Sequence, residues 1–139
     1  MKFGYTIVYV SSVTETLSFY KEAFGFETRF LHESDQYGEL ETGATVLAFA
    51  SHAMGEMNLD GNYQKTDPGT APLGVELASV ADDVPASFTK AVSAGVSAYP
   101  DTQPRQWRLL PDRPGAAHPP DTTEALLPVL HQRTGPHTG

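Results

Sequence analysis

A strand-helix-strand pattern occurs twice in this chain, about 70 residues apart, and it restricts the possible fold more than any other feature. Residues 3–10 are aromatic and β-branched, short and bounded by polar residues, which predicts a strand. Ser12 followed by Glu15 has capping-box spacing and predicts a helix start. Val13, Leu17, Tyr20 and Phe24 then recur at helical spacing, and Gly25 stands where a left-handed cap would end the helix. The second copy reads as a strand over 73–80, caps at Asp82 and Asp83, and Pro85 in the first helical turn. Val84, Phe88, Ala91 and Val92 share one face of that helix, before Gly95 and a short strand over 96–99. Val13 corresponds to Val84, Leu17 to Phe88 and Gly25 to Gly95, so one module is used twice.

Three more strands follow the first helix, over 26–32, 37–42 and 45–51, separated by the turn signals Glu33-Ser34-Asp35 and Gly43-Ala44. Module one therefore reads β-α-β-β-β over residues 1–51. Residues 52–71 hold Gly55, Gly61 and Asp67-Pro68-Gly69 and form a linker, with a short helical turn near 54–59. Module two begins at residue 72, and its regular pattern lasts to about residue 103. The expectation is a single α+β domain of 139 residues, long enough to bury a core without disulfides.

Composition removes several function classes. The chain has no cysteine, which excludes thiolate zinc sites and cysteine nucleophiles. Its net charge of -8 repels phosphate backbones and anionic lipid, so neither a nucleic acid nor a membrane surface is an expected partner. No apolar run approaches the roughly 18 residues of a membrane helix, and Met1-Lys2-Phe3 leads directly into strand-like sequence, so a cytoplasmic location is expected. Phosphate-binding glycine loops, nucleophile elbows and HExxH helices are all missing, which leaves hydrolase and nucleotide-dependent activities without support.

The duplicated module resembles the vicinal-oxygen-chelate superfamily, which includes glyoxalases, extradiol dioxygenases and bleomycin-resistance proteins. The resemblance spans residues 1–103. It is carried by Tyr5-Thr6-Ile7-Val8-Tyr9-Val10, by Phe19-Tyr20-Lys21-Glu22-Ala23-Phe24-Gly25-Phe26, by Glu39-Leu40-Glu41-Thr42-Gly43, and by Gly74-Val75-Glu76-Leu77. It implies that two βαβββ modules curl into a half-open β-cup around a small molecule, and that the chain pairs as a homodimer. In metal-dependent relatives His, Glu or Gln side chains from the first and fourth strands bind a divalent ion. Three matching positions here are Tyr5, Ala48 and Gly74, none an ordinary ligand, and the fourth falls in the last strand of module two, where the tail departs from the pattern, so the resemblance implies no metal cofactor. A displaced site using His52, Glu39 and Glu76 is the alternative.

Strand alternation sorts the remaining residues. With Val8, Val10, Leu40, Leu47, Phe49, Val75 and Leu77 toward the helices, the cup receives Tyr5, Ile7, Tyr9, Tyr37, Glu39, Glu41, Ala48, Ala50 and Glu76. Aromatic plates beside carboxylates suit an aromatic or cationic small molecule. The candidate binding residues are Tyr5, Tyr9, Tyr37, Glu39, Glu76 and Trp107. The competing reading of the acids is that they face solvent on an open sheet, with Glu41 the strongest case. His32 and His52 read first as loop residues, and His118, His131 and His137 match no ligand spacing. A small-molecule-binding protein without metal is therefore the leading function. A metal-dependent lyase, isomerase or dioxygenase of the glyoxalase type is the second.

Residues 104–139 break the pattern. They carry seven of the eleven prolines and four of the five arginines, and lack Phe, Tyr and Ile, which is unsuited to the central strands that module two still needs. Module two is thus altered or incomplete after about residue 103. A shifted reading frame, leaving an inactive domain, is one explanation of this tail, and a divergent segment that caps the cup or wraps a partner subunit is another.

Overall fold

The computed structural model describes residues 1–67, 73–75 and 77–96. Glu76, Trp107 and the C-terminal segment, including the expected strand over 96–99 beyond Val96, lie outside the described residues. The element order is β1 (Tyr5–Val10), α1 (Val13–Phe24), β2 (Thr28–Leu31), β3 (Tyr37–Leu40), β4 (Val46–Ser51), α2 (His52–Leu59) and α3 (Val84–Ser93). The βαβββ order of module one is present, and the chain is α+β. The four strands form one sheet in the order β1-β4-β3-β2, with β1 parallel to β4 and the other pairs antiparallel.

Local chemistry sets the limits of α1. The Ser12 hydroxyl accepts from the Glu15 N–H at 3.3 Å, and Gly25 takes φ +79° while its N–H donates to the Lys21 carbonyl. Thr16 adds a hydroxyl bond to the Ser12 carbonyl at 2.7 Å. In α3 the Asp83 carboxylate accepts from the Ala86 N–H at 2.9 Å, Pro85 sits in the first turn, and Gly95 has φ +99°. Both helices of the repeat therefore start on the expected caps and are followed by a left-handed glycine.

The core lies between α1 and one sheet face. Val13, Leu17, Leu40 and Phe49 are buried together, with Val8, Val10, Tyr20, Phe26 and Leu47 packed against them. All the module-one residues expected to face the helix do so. A second cluster, Ala23, Ala91 and Val96 with Phe19 and Phe24 against it, joins α1 to α3. Small side chains at Ala23 and Ala91 let the two helices approach closely.

Three expectations need correction. Residues 73–75 and 77–80 are not a strand, and Val75, expected to face the helices, is largely exposed. A strand requires a ladder, and none of the four strands pairs with this segment. Strands β2 and β3 are shorter than expected because their flanks have other tasks: Phe26 closes the α1 exit by donating to the Tyr20 carbonyl, and the Thr42 hydroxyl bonds the Thr45 carbonyl across the turn. The linker contains an eight-residue helix, α2, capped by the Ser51 hydroxyl on the Met54 N–H. Helix α2 packs on β1 and β4.

Candidate functional site

The sheet face opposite α1 is built from cross-strand rows. One row holds Ile7, Ala48, Glu39 and Phe30, and the next holds Tyr9, Ala50 and Tyr37. Tyr5 stands beyond Ile7, opposite Val46. Because side chains within a row share a face, the two alanines of β4 form the floor of a trough. Ile7 and Tyr9 wall it on one side, Glu39 and Tyr37 on the other. The walls shield the floor, so Ala48 is fully buried, while the rims stay open at Tyr5 (53% exposed), Ile7 (48%) and Phe30 (46%).

Polar groups on the wall are tied together. The Tyr37 hydroxyl donates to Glu39 Oε1 at 2.9 Å, and Arg29 Nε lies 3.9 Å from Glu39 Oε2. Burial, and then the hydrogen bond to Glu39, push the Tyr37 phenol up to about 12. Tyr20, on the core side, is also raised to about 12 by burial. A phenol with a raised native value contributes stability below its unfolded value of about 10 and loses it as pH climbs toward 12. An alkaline ultraviolet titration should therefore show a late phase from these two phenols. Tyr37→Phe should remove half of that phase; an unchanged late phase would show that Tyr37 is not held by Glu39.

Helix α2 closes the Tyr9 end of the trough. The Tyr9 and Tyr63 rings lie 5.3 Å apart, Asn58 Nδ2 donates to the Tyr9 hydroxyl at 3.4 Å, and the Thr66 hydroxyl donates to the Tyr9 carbonyl at 2.6 Å. His52 Nδ1 and the Tyr63 hydroxyl share a hydrogen bond at 3.0 Å. Burial, then the nearby Lys65 charge, lower the His52 imidazole from its ordinary value. Gly55 makes this packing possible, since a Cβ there would stand 2.7 Å from the Tyr63 hydroxyl and 2.9 Å from the Tyr9 ring.

Of the sequence candidates, the structure places Tyr5, Tyr9, Tyr37 and Glu39 on one face of one sheet. Glu76 and Trp107 lie outside the described residues. Glu41 faces solvent, the reading for which it is the strongest case: it follows the end of β3, is exposed, and its carboxylate accepts from the Gly43 N–H. His32 is a turn residue whose Nδ1 accepts from the Ser34 N–H at 3.2 Å. Among the described residues no three His, Cys, Asp or Glu side chains converge as metal ligands. The positions that family resemblance assigns to a metal supply one phenol (Tyr5), one methyl (Ala48) and no side chain at Gly74, so these residues do not fit a divalent ion.

Sequence reasoning missed Arg29, Phe30 and Tyr63. Tyr63 is the sole aromatic residue in 52–71, which is a usable signal for a packed linker. A separate cavity of about 330 Å³ lies between α1, the N-terminal ends of β1 and β4, and residues 77–80. Its lining joins apolar side chains such as Phe19, Phe24, Leu47 and Leu77 to the hydroxyl residues Thr6, Tyr20, Thr42, Thr45 and Ser79, and contains no charged side chain. No helix of the described residues is long and apolar enough to cross a membrane.

A family model described as Glyoxalase/Bleomycin resistance protein/Dioxygenase superfamily matches residues 2–109, past the limit of 103 expected from the sequence and through Trp107. Among solved structures, a glyoxalase/bleomycin resistance protein/dioxygenase family enzyme from Burkholderia phytofirmans PsJN is 23% identical at TM-score 0.53, covering 68% of this chain and 73% of that one. A gene product from Arabidopsis thaliana is 21% identical at TM-score 0.52, covering 70% and 74%. A hypothetical protein from S. aureus is 15% identical at TM-score 0.53, covering 68% and 70%. These likenesses concern the fold. No curated protein matches the chain.

Proposed function

Because the chain belongs to the Glyoxalase/Bleomycin resistance protein/Dioxygenase superfamily, we propose that it is a small-molecule-binding protein that holds an aromatic ligand in the trough of its sheet without a metal ion. The observation that carries this reading is the alanine floor between tyrosine-bearing walls. Ala48 and Ala50 keep the middle of the face low and are themselves buried beneath their neighbours, while Tyr5 and Tyr37 stand in the flanking strands with Tyr5 half exposed to a ligand. Aromatic walls supply contact area at little entropic cost, and each well-placed ring is worth about 0.5–1.5 kcal/mol beyond its area. The aromatic form of the ligand is favoured over a purely cationic one because Glu39 is already engaged by Tyr37 and Arg29. The unsuitable donor set at Tyr5, Ala48 and Gly74 supports binding without metal.

Calorimetric titration with a neutral planar probe, naphthamide, tests this reading. Binding should be independent of added chelator. Tyr5→Ala and Tyr37→Ala should each weaken it by about threefold to tenfold. Because Tyr5 is half exposed, its variant should keep the parent melting temperature. Absence of naphthamide binding, or a stoichiometric metal with a thermal upshift of several degrees on adding divalent ions, would overturn it.

A further inference from the structure

The geometry points to Arg29 as an anion anchor at the rim of the trough, so that the ligand is a planar aromatic carboxylate whose ring lies against the exposed walls and whose acid group meets the Arg29 guanidinium. This rests on the trough being the binding site and names the chemical class of its ligand.

Three observations carry it. The first is a break in the β2–β3 register: Thr28 pairs with Leu40 but Phe30 pairs with Glu39, so two steps on β2 correspond to one on β3. Arg29 is the extra residue of this bulge. In a regular strand, neighbouring residues point to opposite faces, so Arg29 and Phe30 could not serve the same side. A bulge relaxes that rule and re-aims a side chain. Phe30 shares the Glu39 row, and Arg29 also reaches the Glu39 carboxylate.

The second is the geometry of that contact. Arg29 approaches through Nε at 3.9 Å, the side of the guanidinium. The end-on Nη1/Nη2 fork has no partner among the described residues, although Glu39 is well satisfied by the Tyr37 hydroxyl. The Arg29 side chain is 44% exposed against 14% for Glu39, so the acid is recessed and the base stands outward. A rigid fork with five donors matches a carboxylate bidentately, which a lysine would not.

The third is charge. Arg29 is the one arginine among residues 1–103, in a stretch with fourteen acids, and it stands on the bulge beside the aromatic rim. A carboxylate arriving at the trough would meet repulsion almost everywhere else on this acidic chain. Glu39 lies 3.9 Å from Arg29 Nε and accepts its hydrogen bond from Tyr37 instead, so the outward fork remains available to a second carboxylate.

Calorimetry on the full chain with three probes of one shape is the test: naphthoate, naphthamide and naphthylmethylammonium. Naphthoate should bind about tenfold tighter than naphthamide, and the ammonium should bind weakest. Arg29→Gln should bring naphthoate affinity down to that of naphthamide, and Arg29→Lys should restore part of the preference. Loss of one arginine Nε–H resonance in Arg29→Gln assigns that signal, which should shift on adding naphthoate and stay fixed on adding naphthamide. If naphthamide and naphthoate bind equally, or the ammonium binds tightest, the anchor is overturned and the aromatic trough stands. If none of the three binds, both are overturned.

Discussion

Phe49→Ala is expected to lower the stability of this protein by about 3–5 kcal/mol. Phe49 is 1% exposed, in the middle of β4, and its ring lies 5.0 Å from that of Tyr20. It meets α1 on one side, where Val13 and Leu17 are buried with it, and its strand neighbours are Val8 and Gly38. A cavity left at this point cannot collapse easily. Gly38 has no side chain to move inward, and Val8 is stiff about its first torsion. The full transfer term and most of the cavity term should therefore appear together. Urea unfolding followed by far-ultraviolet circular dichroism should show a lower midpoint at an unchanged slope. Met57→Ala, at a largely exposed position, should stay within about 0.5 kcal/mol of the parent. A loss below about 1 kcal/mol for Phe49→Ala would mean that the core does not lie between α1 and this face.

The position of that core was readable because its signals are local. Ser12, Glu15 and Gly25 bracket α1 by capping chemistry that acts within four residues, and alternation along β1 and β4 separates Val8 and Phe49 from Ile7 and Ala48 without knowledge of their partners. The same alternation put Tyr5, Tyr9, Tyr37 and Glu39 on a common face. Alternation also offered Glu41 to that face, but β3 ends at Leu40, Thr42 turns the chain, and Glu41 takes the solvent side that the open-sheet reading gave it. The sequence over 73–80 alternates as well as β1 does, yet residues 73–75 and 77–80 form no strand. Alternation records suitability for a ladder, and the ladder itself depends on a distant partner.

The unread part of the candidate site is non-local for the same reason. A bulge at Arg29 belongs to the pairing of β2 with β3, and nothing in Thr28-Arg29-Phe30 by itself marks it. Tyr63 reaches Tyr9 and His52 across a connection of more than fifty residues in one case and eleven in the other. Arg29 and Tyr63 change the chemistry of the face: one sets a positive group beside Glu39, and the other seals the Tyr9 end.

Gly38→Val is expected to cost about 2–3 kcal/mol, although valine suits a strand far better than glycine and that preference alone is worth up to about 1 kcal/mol in the opposite direction. The reason is contact between α1 and β3. A Cβ at Gly38 would stand 2.7 Å from Leu17 Cδ1, 3.1 Å from Val13 Cγ1 and 3.3 Å from the Phe30 carbonyl oxygen. Leu17 is buried and cannot swing into solvent, Val13 is β-branched, and the third neighbour is backbone. Relief thus requires α1 to lift from the sheet, which loosens the packing of Val13 and Leu17 against Phe49 and Leu40. Gly4 is the matched control: a Cβ there meets nothing within 4 Å, so Gly4→Val should change stability by no more than about 0.5 kcal/mol. Comparing the two unfolding midpoints separates steric exclusion from loss of glycine flexibility. Equal effects of the two substitutions would sink the claim that α1 rests directly on Gly38. A large loss confined to Gly38→Val would confirm that the side-chain-free position sets how closely the helix approaches the sheet.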